Sequence, residues 1–304
     1  MTNSTEVFWS VDGVSLQTLA FNITTLGDDR EAAIPLRGSD IVIPYMPGSK
    51  HVTKVPDSRI LTLGMWVIGA NEDGSIPVDE NVRRTYDRNW KHLRRLLWRR
   101  GRQFTLTKRF WVPEADLVAA GVDVSALQQS GLWRLYTAEA QASYSGGLDP
   151  RKSGPARAVF TVDLRLADPY FYGPEISVPF STAPADAVNP GPSQTISVLG
   201  DDRTTYVELD FVGPVTTPRV TNSTELGLWV QYSTVVAATE TATVRAHNFS
   251  ATHYPVGTSY KSSGYVTHAG DRFWMFLEPG SVQLELTVQA GTGTAELRYR
   301  PVWM

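Results

Sequence analysis

The chain has 304 residues, of which 42% are hydrophobic, 19% charged and 11% aromatic, with a net charge of −3. That length suits two domains rather than one core, and the 24 glycines and 19 prolines beside so many aromatics favour strands and turns over helix. No cysteine is present, which excludes disulfides, thiol catalysis and thiolate-bound metals.

The first residues, "MTNSTEVFWSVDGVSL", have neither a basic n-region nor a long apolar run, so no signal peptide is expected. No window of 18 apolar residues predicts a membrane span. From 6 to 70 the pattern is that of strands. "VFWSVDGVSLQTLAFNITTL" alternates and breaks at Asp12-Gly13, a hairpin signal. "RILTLGMWVIG" sets Ile60, Thr62, Gly64, Trp66 and Ile68 against Leu61, Leu63, Met65 and Val67. Both faces are largely apolar, which predicts a strand covered on both sides.

After the loop "NEDGSIPVDE" the texture changes. Residues 83–111 hold eleven of the 28 Lys and Arg residues and one acid, Asp87. At 100° per residue, Val82, Tyr86, Trp90, Leu93, Leu96 and Leu97 lie within about 60° of one direction. Arg84, Arg88, Lys91, Arg95 and Arg99 lie opposite. This predicts an amphipathic helix over about 81–100, closed by Gly101. Val82, Tyr86, Trp90, Leu93 and Leu97 are the expected packing residues against a sheet. Arg84, Arg88, Lys91, Arg95, Trp98 and Arg99 are expected to face a neighbouring subunit or a lumen. Trp98 on the polar side is better suited to an interface than to solvent.

"QFTLTKRFWV" returns to strand, and 113–131 is an insertion with one or two helical turns. "LWRLYTAEAQASYSG" and "ARAVFTVDLRLADPYFYG" are further strands. The expected division is a strand-rich domain at 1–178, a proline-rich linker at 179–194 and an all-β sandwich at 195–304. Short strands every 8–12 residues with Gly and Pro punctuation support the last.

Chemical signatures are sparse. There is no G-x-S-x-G, H-E-x-x-H, P-loop or G-x-G-x-x-G. His247, His253 and His268 could meet in the sandwich, but their spacing matches no ligand pattern, and His51 and His92 stand apart. No metal or other cofactor is expected. Glu208 and Asp210 alternate with Leu209 and Phe211, which reads as a solvent-facing pair rather than catalytic carboxylates. Trp229, Tyr232, Tyr254, Tyr260 and Tyr265 could form a sugar-stacking platform; the competing reading is core. The basic helix could contact phosphates, yet no nucleic-acid-reading motif accompanies it. An acidic protein surface, a second copy included, fits better, since the rest of the chain is acidic.

The order of these features resembles the distal tail (Dit) proteins, or minor tail proteins, of long non-contractile-tailed bacteriophages. The resemblance runs through "PYMPGSKHVTKVPDSR", "ILTLGMWVIG", "ANEDGSI", the helix "RRTYDRNWKHLRRLLWRR", "ADPYFYG" at 167–173 and the ending "LEPGSVQLELTVQAGTGTAELRYRPVWM". The ending is similar to those of phages that infect actinobacteria. The segment 113–131 has no place in the family pattern. The resemblance implies a mainly β chain: a β-barrel-like ring domain with one long helix, then a galectin-like sandwich. It implies a non-enzymatic virion protein at the tail tip, assembled in the bacterial cytoplasm. Six copies would form a ring joining the tail tube protein to the tail-tip hub protein. The ring's lumen would pass the tape measure protein and then DNA, without sequence-specific binding or membrane insertion. Receptor-binding proteins or a host surface glycan are the further partners implied. A carbohydrate-binding adhesion module is the alternative reading.

Overall fold

The computed structural model describes residues 9–28, 34–37, 41–42, 49–50, 55–76, 81–98, 102–124, 129–130, 133–146, 151–154, 156–181, 193–225, 228–255, 258–269 and 274–304. The chain is mainly β and divides into two compact units. One comprises 1–110, 137–171 and 304; the other comprises 111–136 and 172–303.

The first unit is a curled half-barrel sheet. Its strands run in the order Val14–Ser15, Trp9–Val11, Phe104–Pro113, Trp133–Gly146, Arg157–Leu166, Arg59–Ile68 and Phe21–Asp28. The Asp12-Gly13 turn joins the first two, with φ of 48° and 78° at its central residues. Positive φ at both positions is what a two-residue hairpin of the right twist demands.

The strand Arg59–Ile68 pairs over its whole length with Arg157–Leu166, from Arg59 opposite Leu166 to Ile68 opposite Arg157. Leu61, Leu63, Met65 and Val67 share one face with Ala158, Phe160, Val162 and Leu164, and all are buried. The opposite face corrects the expectation of two covered sides. Ile60 is 56% exposed and Val159 38%, and a salt-free polar pair, Thr62 donating to Asp163 at 2.7 Å, lies between them. The sheet therefore carries one core face and one partly wet face, as antiparallel sheets commonly do.

Helix α1, Val82–Leu97, covers the core face. Its N-terminus is capped by Asn81, whose Oδ1 accepts from the Arg83 N–H at 2.9 Å, which satisfies one of the orphan donors of the first turn. Tyr86, Leu93, Leu96 and Leu97 are buried, at 5% exposure or less. Trp90 sets its edge against Phe160, with centroids 5.0 Å apart. His92 stacks on Phe21 at 6.1 Å. Val82, expected in the packed stripe, keeps 39% of its surface exposed. It sits at the helix start and reaches across Gly69, where even a Cβ would meet its backbone oxygen at 2.2 Å.

Two polar residues complete the stripe that an apolar pattern could not mark, Thr85 and Asn89. The Asn89 amide donates to the Ile68 carbonyl at 2.9 Å and the Ala70 carbonyl at 2.7 Å. Those oxygens lie where the strand stops pairing, so the side chain stands in for the lost ladder partner.

The second unit is a β-sandwich. One sheet runs Ile176–Ser181, Thr294–Tyr299, Val207–Val212, Thr241–Arg245, Ser250–Tyr254 and Tyr260–Lys261. The other runs Ser193–Val198, Gly280–Thr287, Arg219–Asn222, Leu228–Tyr232 and Val266–Ala269. Leu209, Phe211, Val244 and Leu297 from one sheet, and Val220, Val230, Leu284 and Leu286 from the other, are buried. Tyr299 Oη donates across the core to the Ser197 carbonyl at 3.2 Å.

These boundaries differ from the expected ones. Ile176–Ser181 is a strand paired with Thr294–Tyr299, so the longer run of the second unit begins at 172 rather than after a linker ending at 194. Of the expected linker, 182–192 lie outside the described residues. The insertion also belongs to the second unit: helix α2, Glu114–Ala119, buries Leu117 beside the strand Ser193–Val198.

Replacing Asn89 with Ala strands two buried carbonyls and should destabilise the chain by about 1–3 kcal/mol. Arg95→Ala, on the exposed face of the same helix, should cost less than about 0.5 kcal/mol. Denaturant unfolding of the two variants checks the contrast.

Candidate interaction surfaces

Docking one stripe of α1 on the sheet decides where its cations go. Arg83, Arg84, Arg88, Lys91, Arg94 and Arg95 are all exposed. Asp87 is the one acid on the helix, and it meets Arg83 at 3.6 Å. Arg88 Nη2 donates to Asn71 Oδ1 at 3.1 Å. Arg94 lies 4.3 Å over the Trp98 ring. Arg84, Arg88, Lys91, His92 and Arg95, with Asp87 among them, border an open depression on this face. Like charges held this close make a strong positive potential, and they gain most from an acidic partner.

Trp98 borders a further open depression together with Lys91, Arg94 and Arg95. Trp98 is half-buried, its ring 6.0 Å from Tyr144 of the sheet. It caps the helix with φ −92° and ψ 68°. Arg99 lies outside the described residues. Lys108, counted within the basic run, is buried at 7% exposure. Its ammonium sits 4.4 Å from the Phe110 centroid and 5.6 Å from those of Trp9 and Phe171, an aromatic box that offsets part of its lost hydration.

In the sandwich, Glu208 and Asp210 correct a second expectation. They are not a plain solvent-facing pair. Glu208 is 7% exposed and takes Arg245 Nε at 3.4 Å and Arg298 Nη2 at 3.1 Å. The same Arg298 nitrogen bonds Asp210 Oδ2 at 2.6 Å, and its Nη1 reaches Glu175 at 3.4 Å. Thr243 Oγ1 donates to Asp210 Oδ1 at 2.5 Å, and Arg245 Nη1 donates to Thr252. Register explains the cluster. Glu208 lies opposite Arg298 on one side and Arg245 on the other, so alternating charges tile one sheet face. Burial alone would lower the Arg298 guanidinium, but Asp210, Glu208 and Glu175 outweigh it and hold its pKa above the ordinary value. The carboxylates and guanidinium groups thus pair across neighbouring strands, while Arg298 Nε is buried without a hydrogen-bond partner.

The histidines do not converge. His247 lies flat on Tyr206, with centroids 4.3 Å apart, and burial pushes its pKa down. His268 lies 6.0 Å from Trp274. His253, 4% exposed, takes Glu240 at Nε2 at 3.0 Å and the hydroxyls of Tyr232 and Tyr260 at Nδ1, at 3.0 and 2.9 Å. Among the described residues no group of three His, Asp or Glu side chains is placed to hold a metal ion; His51 lies outside them. The five sandwich aromatics separate too. Tyr232 is core at 0% exposure, and Trp229 is covered by Arg219 at 3.9 Å. Tyr254, Tyr260 and Tyr265 are 38%, 46% and 49% exposed.

No family model matches the chain, and no curated protein does. Among solved structures it is similar to the Dit protein (gp 19.1) of phage SPP1, described as a paradigm of the hub adsorption apparatus in phages infecting Gram-positive bacteria. The two share 14% identity and a TM-score of 0.57, over 98% of this chain and 99% of that one. This chain has a Dit-like fold. Two structures of the phage P2 baseplate in its activated conformation, with Ca and with Sr, match at 7% and 8% identity, with TM-scores of 0.38 and 0.37, over 94% of this chain and 92% of theirs. The Dit-like assignment stands on the first likeness, which spans both units end to end.

Two outcomes are expected within the sandwich of this Dit-like chain. Arg298→Ala leaves nearly buried Glu208 short of a partner and should cost about 2–4 kcal/mol in denaturant unfolding. The Ala237 N–H, donating at 3.0 Å, lowers the Glu240 pKa below 4.5; burial opposes it and His253 adds to it. A lowered folded value means stability present above the unfolded value and lost as pH falls through the folded one. Glu240→Gln should therefore flatten the decline in melting temperature below about pH 4.5.

Proposed function

We propose that the protein is a structural component of a phage tail tip, and that copies of it assemble into a ring between the tail tube and the tail-tip hub. The end-to-end Dit-like fold carries this reading, because both units and their order match a protein described as part of a hub adsorption apparatus. Six copies and a lumen for tape measure and DNA are the expected form. The segregation of charge supports self-association: one helix face concentrates cations, while the remainder of the chain is acidic. A surface of this kind suits a heterologous, closing contact between identical subunits. A non-enzymatic, structural role is part of this reading, and the likeness to a protein described as part of a hub adsorption apparatus supports it.

Binding of a host surface glycan is the second reading. Tyr254, Tyr260 and Tyr265 favour it, since each exposes over a third of its surface on the sandwich. Retention of the full chain on cell-wall glycan, lost in Tyr260→Ala/Tyr265→Ala, would support that role; no retention removes it.

The assembly reading predicts a discrete oligomer by mass photometry and rings by negative-stain imaging. Arg88→Glu/Arg95→Glu should impair assembly and leave the melting temperature within a few degrees of the parent chain. Those residues are exposed and contribute nothing to the core, so a folded monomer is the expected product. A parent chain that remains monomeric at high micromolar concentration overturns the reading.

A further inference from the structure

The second unit holds a cavity of about 390 Å³ at the base of α2. Two indoles, Trp111 and Trp303, and two prolines, Pro113 and Pro279, give it apolar walls, and Asp116 and Asp201 line it with carboxylates. Trp111 is 39% exposed and Asp116 and Asp201 are exposed, whereas Trp303 is 7% exposed. Residues 111–124 carry Glu114, Asp116 and Asp123 and no Lys or Arg, and Val118 is 57% exposed. Indole faces beside carboxylates suit one ligand chemistry above others, a guanidinium or ammonium on an apolar stem. The rings attract the cation's face, the carboxylates take its N–H groups, and the stem covers the prolines.

The densest array of such side chains in the described chain is the exposed face of α1. We infer that this acidic, tryptophan-lined cavity receives basic side chains of α1, Arg88 and Arg95 foremost, from a second copy of the chain. Charge complementarity selects the occupant: six exposed cations on the helix meet a pocket whose described lining holds two carboxylates, Asp116 and Asp201, and no Lys or Arg. The inference rests on the self-assembly proposed above and adds what assembly alone does not require, namely which surface answers the helix. It also gives 113–131 a task, since α2 supplies Asp116 and, through Leu117, holds its place beside the strand Ser193–Val198.

The test is a charge swap in the full chain, read by mass photometry across concentration, with melting temperature as the check on folding. Asp116→Lys/Asp201→Lys should raise the concentration at half-assembly by about tenfold or more, as should Arg88→Glu/Arg95→Glu. All four substitutions together should restore most of the loss. Trp111→Ala, which keeps every charge, should weaken assembly as well. If the aspartate swap lowers the melting temperature, Asp116→Asn/Asp201→Asn is read in its place. A parent chain that assembles, with aspartate variants that assemble unchanged, overturns this inference and leaves the ring reading standing. A parent chain that never assembles overturns both. Salt-dependent retention of duplex DNA lost in Arg88→Glu/Arg95→Glu, with assembly intact, assigns the helix to DNA and overturns the inference too.

Discussion

The first unit depends on the burial of one stripe of α1 against one face of a curled sheet. Tyr86, Leu93, Leu96 and Leu97 are buried there, Trp90 sets its edge against Phe160, and the helix lies on the strand Arg59–Ile68. Each fully buried leucine is worth about 2 kcal/mol of transfer free energy, and together they oppose the repulsion among the helix's own cations. Without that docking, a segment with six basic residues in sixteen would have little reason to be helical in water. With it, geometry leaves those cations one direction to point. Packing on one side thus creates the electrostatic surface on the other.

Charge is handled differently in the two units. On α1 six exposed cations outnumber the single acid, Asp87, so the face keeps an excess of positive charge. On the sandwich, Glu208, Asp210, Arg245 and Arg298 neutralise one another at close range. Charges already paired in this way leave little to gain from an added ligand, because any newcomer must first break charge-assisted hydrogen bonds. That contrast is why α1, and the acidic surface at α2, carry the functional reading, while the sandwich's most charged face does not.

Periodicity was informative wherever burial was one-sided. The alternation of Ala158, Phe160, Val162 and Leu164, and the 3.6-residue stripe of α1, both follow the core face closely. Pattern was misleading where the deciding partner lies far along the chain. Asn89 is polar and buried because carbonyls of Ile68 and Ala70 need a donor. Glu208 is acidic and nearly buried because arginines at 245 and 298 pair across the sheet. Ile60 is apolar yet exposed, because the wet face of an antiparallel strand tolerates single apolar side chains.

By itself, the sequence determined the mainly β character, the one long amphipathic helix, the Asp12-Gly13 hairpin and the segregation of charge. These follow from local propensity and short-range periodicity, which neighbours in the chain decide. Only the tertiary structure decided that the strand at 176–181 and the segment at 111–136 belong to the second unit. Nor could the sequence place Lys108 in an aromatic box, or set two tryptophans and two aspartates around one cavity. Trp111 and Trp303 stand almost two hundred residues apart, and the pairings that bring them together depend on sheet register, which has no local signature.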